Sequence, residues 1–222
     1  MRRYSQRVRR PPRHILFPTA VLVLASAGAW VLACGTRDRI VSAGFWFDGV
    51  TYDSSEAMVG RLGGPITPEE LRAIEDVARA ELMHAFAALR IDFSAGRDAM
   101  YRVRVVQDLR NPRAPRYPGP AGESRSVIGV GGEGALSFRM LVSNAVAYAE
   151  GSDRAAMITG IGRGIGRAAV HEFAHQLLGS AVVHSRNVAS YEYESAARRE
   201  QYYGDLHWDL AWPVLQRRVG LR

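Results

Sequence analysis

The sequence predicts an α/β (α+β) domain, and three features predict it. Residues 67–90 set apolar side chains at helical spacing, residues 101–108 alternate as a half-buried strand does, and a second helix runs up to a glycine at 179. The chain has 222 residues, of which 47% are hydrophobic and 23% charged, which suits one domain of ordinary globular composition.

Residues 1–34 stand apart from this domain. "MRRYSQRVRRPPR" is basic, Ile15 to Ala33 is an apolar run, and Cys34-Gly35 follows. Basic, then apolar, then small residues is the layout of a secretory signal. The ending "VLAC" resembles a bacterial lipoprotein box, with Leu32 where a smaller residue is usual. Three readings follow: a lipoprotein signal leaving a lipid on Cys34, a membrane anchor through residues 15–33, or a plain cleaved signal peptide. All three place residues 35–222 outside the cytoplasm, in the cell envelope. Cys34 is the only cysteine, so no internal disulfide can form. The net charge of +7 also belongs here. Six arginines and no acid lie in residues 1–34, and the rest holds 23 basic against 22 acidic residues. A nearly neutral body gives no reason to expect nucleic-acid binding.

The body reads element by element. Aromatic and β-branched residues near Phe45–Tyr52 predict a strand, and "GRLGGP" breaks the chain after it. Thr67 can cap the following helix, with Pro68 in its first position and Glu69 and Glu70 in its first turn. Leu71, Ile74, Val77, Ala78, Leu82, Ala85, Phe86 and Leu89 form its apolar face. His84 on this helix reads as structural. Strand 101–108 leads into a Pro/Gly/Arg-rich stretch, "LRNPRAPRYPGPAGESRS", expected as a long surface loop. "SVIGVGG" and "LSFRMLVSNAVAYA" are expected as strands. "GIGRGIG" has neither the Lys-Ser/Thr nor the acidic partner of a nucleotide loop, and is expected as a flexible lead-in to the second helix. "DLHWDLAWPVLQRRVG" is expected to be helical around Pro213.

Three of the six histidines fall between residues 170 and 185, in "VHEFAHQLLGSAVVHS". His171, Glu172 and His175 form H-E-x-x-H. On a helix the two histidines project from one face, one turn apart. Two imidazoles so placed can reach one Zn²⁺ at about 2.0–2.1 Å. Glu172 lies about 100° round the turn, off the ligand face, and can act as general base on a water whose pKa the zinc lowers. Gly179 stops the helix, and the chain can turn back with His184 as third ligand. Glu194, 19 residues past His175, is the rival for that position. Asp205, His207 and Asp209 are candidates for orienting a ligand imidazole.

H-E-F-A-H-Q-L-L-G-S-A-V-V-H-S resembles the H-E-x-x-H-x-x-G-x-x-H pattern of the metzincin clan of zinc endopeptidases, especially its matrixin-type members, in which Ser often follows the third histidine. Three extra residues stand between His175 and His184. The resemblance implies a zincin-like domain over residues 35–222, with a small mixed sheet, a backing helix and an active-site helix carrying H-E-x-x-H. It implies zinc held by His171, His175 and His184, with Glu172 as the catalytic base acting on peptide or protein substrates. Where that clan has a methionine beneath the metal, this chain has Glu192, flanked by Tyr191 and Tyr193, and no Met follows Met157. The spacing to Glu194 is instead close to that of thermolysin-like enzymes, without their flanking Asn and Asp. Two other functions share these features: a non-proteolytic envelope protein that keeps the scaffold for binding, and a zinc amidase acting on cell-wall peptides. Binding alone would not require Glu172.

Overall fold

The computed structural model describes residues 40–51, 59–110, 119–179, 199–205 and 211–222. All the described residues lie in one compact unit, Thr36–Arg222. Its architecture is mixed α/β. The order is β1 (Val41–Phe47), α1 (Val59–Leu62), α2 (Pro68–Ala85), β2 (Ile91–Asp92), β3 (Tyr101–Val106), β4 (Gly122–Val127), β5 (Gly131–Ser137), α3 (Phe138–Ala147), α4 (Arg154–Leu178), α5 (Glu200–Tyr203) and α6 (Ala211–Val219). The strands form one five-stranded sheet in the order β2-β1-β3-β5-β4. The β2–β1, β1–β3 and β3–β5 pairs are parallel, and β4 runs antiparallel to β5 along the edge.

Strand register gives the sheet one covered and one open face. Val103 pairs with Gly134 and Val105 with Leu136, and Val103, Val105 and Leu136 are fully buried. The alternate positions, Arg102 with Glu133 and Arg104 with Ala135, face the other way, where Arg102 and Glu133 form an ion pair. Helix α4 packs on β3, β4 and β5, and α2 lies against α4.

Helix α2 starts as its sequence requires. The Thr67 side chain accepts from Glu70 N–H, and the Glu70 carboxylate accepts from Thr67 N–H, completing a capping box. Arg154, in the first turn of α4, grips the same carboxylate with two parallel bonds, from Nε and Nη2, each at 2.7 Å. That pairing holds the Glu70 carboxyl below its ordinary range. The same guanidinium donates to the carbonyls of Leu62, Gly64 and Pro65, so the starts of both long helices are tied together.

Three expectations need correction. "GIGRGIG" is the interior of α4, not a flexible lead-in to it. A Cβ on Gly162 would stand 2.7 Å from Val77 Cβ, and one on Gly166 would stand 2.5 Å from Ala78 O, so these glycines let α2 and α4 touch backbone to backbone. Gly160 and Gly164 make the same room for the rings of Tyr203 and Tyr202. Glycine costs about 1 kcal/mol in a helix interior, and the close packing on both sides offsets it. Second, "LSFRMLVSNAVAYA" is mostly helix α3, capped by the Ser137 hydroxyl, which accepts from Met140 N–H. Its apolar run is as dense as a buried strand's, and periodicity does not separate the two. Third, the end of the expected loop is strand β4.

Candidate active site

Helix α4 begins at Asp153, whose carboxylate accepts from Ala156 N–H at 2.8 Å, and ends where expected, at Gly179. Gly179 has φ +84, and its N–H donates to His175 C=O at 2.9 Å. The Leu177 carbonyl, orphaned by the helix end, accepts from Arg218 of α6 at 2.8 Å. Phe173 fixes the helix about its axis. It is buried edge-on against Phe86 at 6.3 Å and Phe93 at 5.8 Å. With Phe173 turned to the core, 3.6 residues per turn send His171 and His175 the opposite way.

Those two imidazoles converge. His171 Nε2 and His175 Nε2 are 3.0 Å apart, with ring planes crossing at 88°. Zinc–imidazole bonds run at about 2.0–2.1 Å, so one ion can reach both nitrogens. Beside them lies a cavity of about 560 Å³ walled by Gly122, Glu123, Ser124, Ser126, Ile128, His171, Glu172, His175 and Gly179. Edge strand β4 forms one side of it and α4 the other.

Glu172 is 6% exposed. Burial, reinforced by the negative charge of Glu123, pushes its carboxyl up to about 8, and the nearby Ser124 hydroxyl pulls the other way. Among the described residues no basic side chain pairs with it. A buried carboxylate without a counter-charge is costly, and a dication held by the adjacent histidines would favour its ionised form. The donor set and this unpaired carboxylate therefore fit zinc. Among the described residues no group of three or more His, Cys, Asp or Glu side chains is placed to hold an ion. The remaining candidates, His184 and Glu194, lie outside the described residues, as do Tyr191, Glu192, Tyr193, His207 and Asp209. Asp205 is exposed after α5, His84 is exposed on α2, and neither lines the cavity.

The residues that hold this site against the sheet could not be read from the sequence. A Cβ on Gly122 would collide with Glu172 Oε1 and stand 2.9 Å from Leu136 Cδ2. Ser124 donates to Glu172 C=O at 3.3 Å, and the fully buried Gln176 donates to Ser124 Oγ and Arg102 C=O, both at 3.0 Å. Gly132 and Gly134 of β5 leave the space that the Gln176 side chain fills. Two polar side chains of α4 thus enter the sheet where glycines open it. The available signal was the pair of runs "GESRSV" and "GGEGALS" around Ile128–Val130, a hairpin pattern in which glycines replace the usual apolar alternation.

This packing predicts the effect of Gly122→Ala. The new methyl displaces the Glu172 carboxylate, which should cost about 1–3 kcal/mol of stability as overpacking. If Glu172 is the base of a hydrolase, as proposed below, misplacing it should also slow turnover by roughly 10- to 100-fold. Urea unfolding and initial rates check the two effects separately. Unchanged turnover in the folded variant would mean that the carboxylate has other room to work.

No protein-family model, curated protein or solved structure matches this chain.

Proposed function

We propose that this chain is an extracytoplasmic zinc-dependent peptidase with a zincin-like domain. The observation that carries the reading is the convergence of the His171 and His175 Nε2 atoms at 3.0 Å, beside a buried Glu172 that no basic side chain among the described residues pairs with, in a cavity walled by a sheet edge. The small mixed sheet, the backing helix α2 and the active-site helix α4 agree with the arrangement that the H-E-x-x-H resemblance implies.

His171 and His175 would hold the zinc, with His184 proposed as the third ligand. Zinc bound there supplies a Lewis acid that polarises a carbonyl and acidifies water. Glu172 takes a proton from the water that attacks the scissile carbonyl, and can return it to the leaving nitrogen. Edge strand β4 offers backbone N–H and C=O groups along the cavity, and an extended peptide can add to them as a further strand. That pairing would lay the peptide between β4 and the two histidines. Attachment through a lipid on Cys34 or through residues 15–33 is part of the proposal, supported by the order of basic, apolar and small residues. Among the described residues no helix is long and apolar enough to cross a membrane, and residues 15–33 lie outside them.

The test is hydrolysis of denatured casein by the purified full-length chain. Activity should disappear on treatment with a chelator and return on adding one equivalent of zinc. Failure of the folded, zinc-loaded protein to cleave any peptide bond would overturn the proposal. It would favour the binding-protein alternative.

A further inference from the structure

Six large apolar side chains are exposed among the described residues, and three of them fall within four consecutive positions: Val127 (64%), Ile128 (48%) and Val130 (70%). Single exposed apolar residues are ordinary, whereas a cluster marks a contact surface. Val127 ends β4, Ile128 and Val130 sit on the turn to β5, and the turn is held in place. Val130 N–H donates to Val127 C=O at 2.9 Å. Gly129, at φ +81, donates its N–H to the hydroxyl of the buried Tyr101 at 3.1 Å. The apolar side chains are therefore displayed from a fixed backbone.

Their position ties them to the cleft. Ile128 lines the same cavity as His171, Glu172 and His175. Its Cδ1 would lie 3.8 Å from a Cβ on Gly179, so it marks the end of the cavity at the close of α4. Val127 and Val130 line the neighbouring hollow on the open face of the sheet, beside Arg102 and Arg125.

We infer that Ile128, flanked by Val127 and Val130, is the specificity-determining wall of the cleft and selects extended peptides with a large apolar side chain at its Gly179 end. The inference rests on the peptidase reading and names the substrate class for it. A peptide paired with β4 sends alternate side chains to the two faces of the sheet. On the α4 side they pass Gly122, Ser124 and Ser126, which offer small or polar surfaces, and then reach Ile128. Selectivity for side-chain type therefore concentrates there. An apolar side chain against Ile128 removes both from water. A charged one loses hydration with no partner on that residue.

The probes are fluorescent alanine-based nonapeptides with a single Leu placed at each position in turn, and a matched set with a single Asp. Binding is measured to full-length Glu172→Gln loaded with zinc, and cleavage of the same peptides by the unaltered protein. One Leu position should strengthen binding roughly tenfold or more, and the cut should fall at a fixed offset from it. Ile128 is half exposed, so Ile128→Lys can be made without disturbing the core. In the Glu172→Gln background it should erase the Leu preference and favour Asp at that position. Binding indifferent to the position of Leu, or the same Leu preference in folded Ile128→Lys, would overturn the inference. Leu-selective binding that depends on Ile128, without cleavage by the unaltered zinc-loaded protein, would uphold this wall and overturn the peptidase reading instead.

Discussion

Glu172→Gln should retain its zinc and lose at least about 100-fold in kcat/KM. Gln has the same shape as Glu, so it fits the space that Gly122 leaves open and keeps α4 seated on β4. The His171 and His175 nitrogens proposed to bind zinc are untouched by the change. What disappears is the ability to take a proton inside a cavity where Glu172 is 6% exposed. Zinc content of the dialysed variant and its initial rate on casein check the two halves. Parent-like turnover, or loss of metal from a folded protein, would contradict the role assigned to Glu172.

Arg167→Met should produce the largest loss of stability among the substitutions considered, about 3–5 kcal/mol. For a domain of this size that is a fall in Tm of roughly 10 °C. Arg167 is 4% exposed. Its Nε donates to Glu81 of α2 at 3.1 Å, and its Nη1 donates to the carbonyls of Glu200, Gln201 and Gly204 at 2.7, 3.3 and 3.0 Å. Removing the guanidinium takes one donor from each of the Glu200, Gln201 and Gly204 carbonyls and one of two cations from Glu81. Arg163 remains on the other Glu81 oxygen and on Gly204 C=O, so the protein should still fold. The weakened link is the one that docks α5, the first described element after residue 198, onto α4. Thermal unfolding by circular dichroism measures the effect. A fall of only a degree or two would show that Arg163 alone holds α5.

How much of this was legible in the sequence depends on which physical signal each element carries. The capping box at Thr67 and the apolar stripe of α2 are local features, and that helix starts where they place it. His171 and His175 share a face because four residues exceed one helical turn by little, and Gly179 ends α4 because its left-handed φ suits glycine. Strand β4 could not be read in the same way. As an edge strand it is polar on both sides, and Gly122 and Ser124 are there to admit Glu172 and to bond α4, neither of which leaves an apolar period. The four glycines of α4 misled for a related reason. Glycine weakens an isolated helix, and only the backbone of α2 and the rings of Tyr202 and Tyr203 show why it is needed. Gln176 carries no sequence signal that separates it from an exposed polar helix residue, although it is fully buried and pins Ser124 of the edge strand.

Anomalous diffraction from crystals of the full-length chain, collected on both sides of the zinc absorption edge, tests the central claim most directly. The account predicts a single strong peak within about 2.0–2.1 Å of both His171 Nε2 and His175 Nε2, with His184 supplying the third protein ligand and Glu172 outside bonding distance. Two imidazoles 3.0 Å apart can also share an N–H···N hydrogen bond. Zinc-soaked crystals with no peak between the rings, and the rings still in contact, would contradict the account.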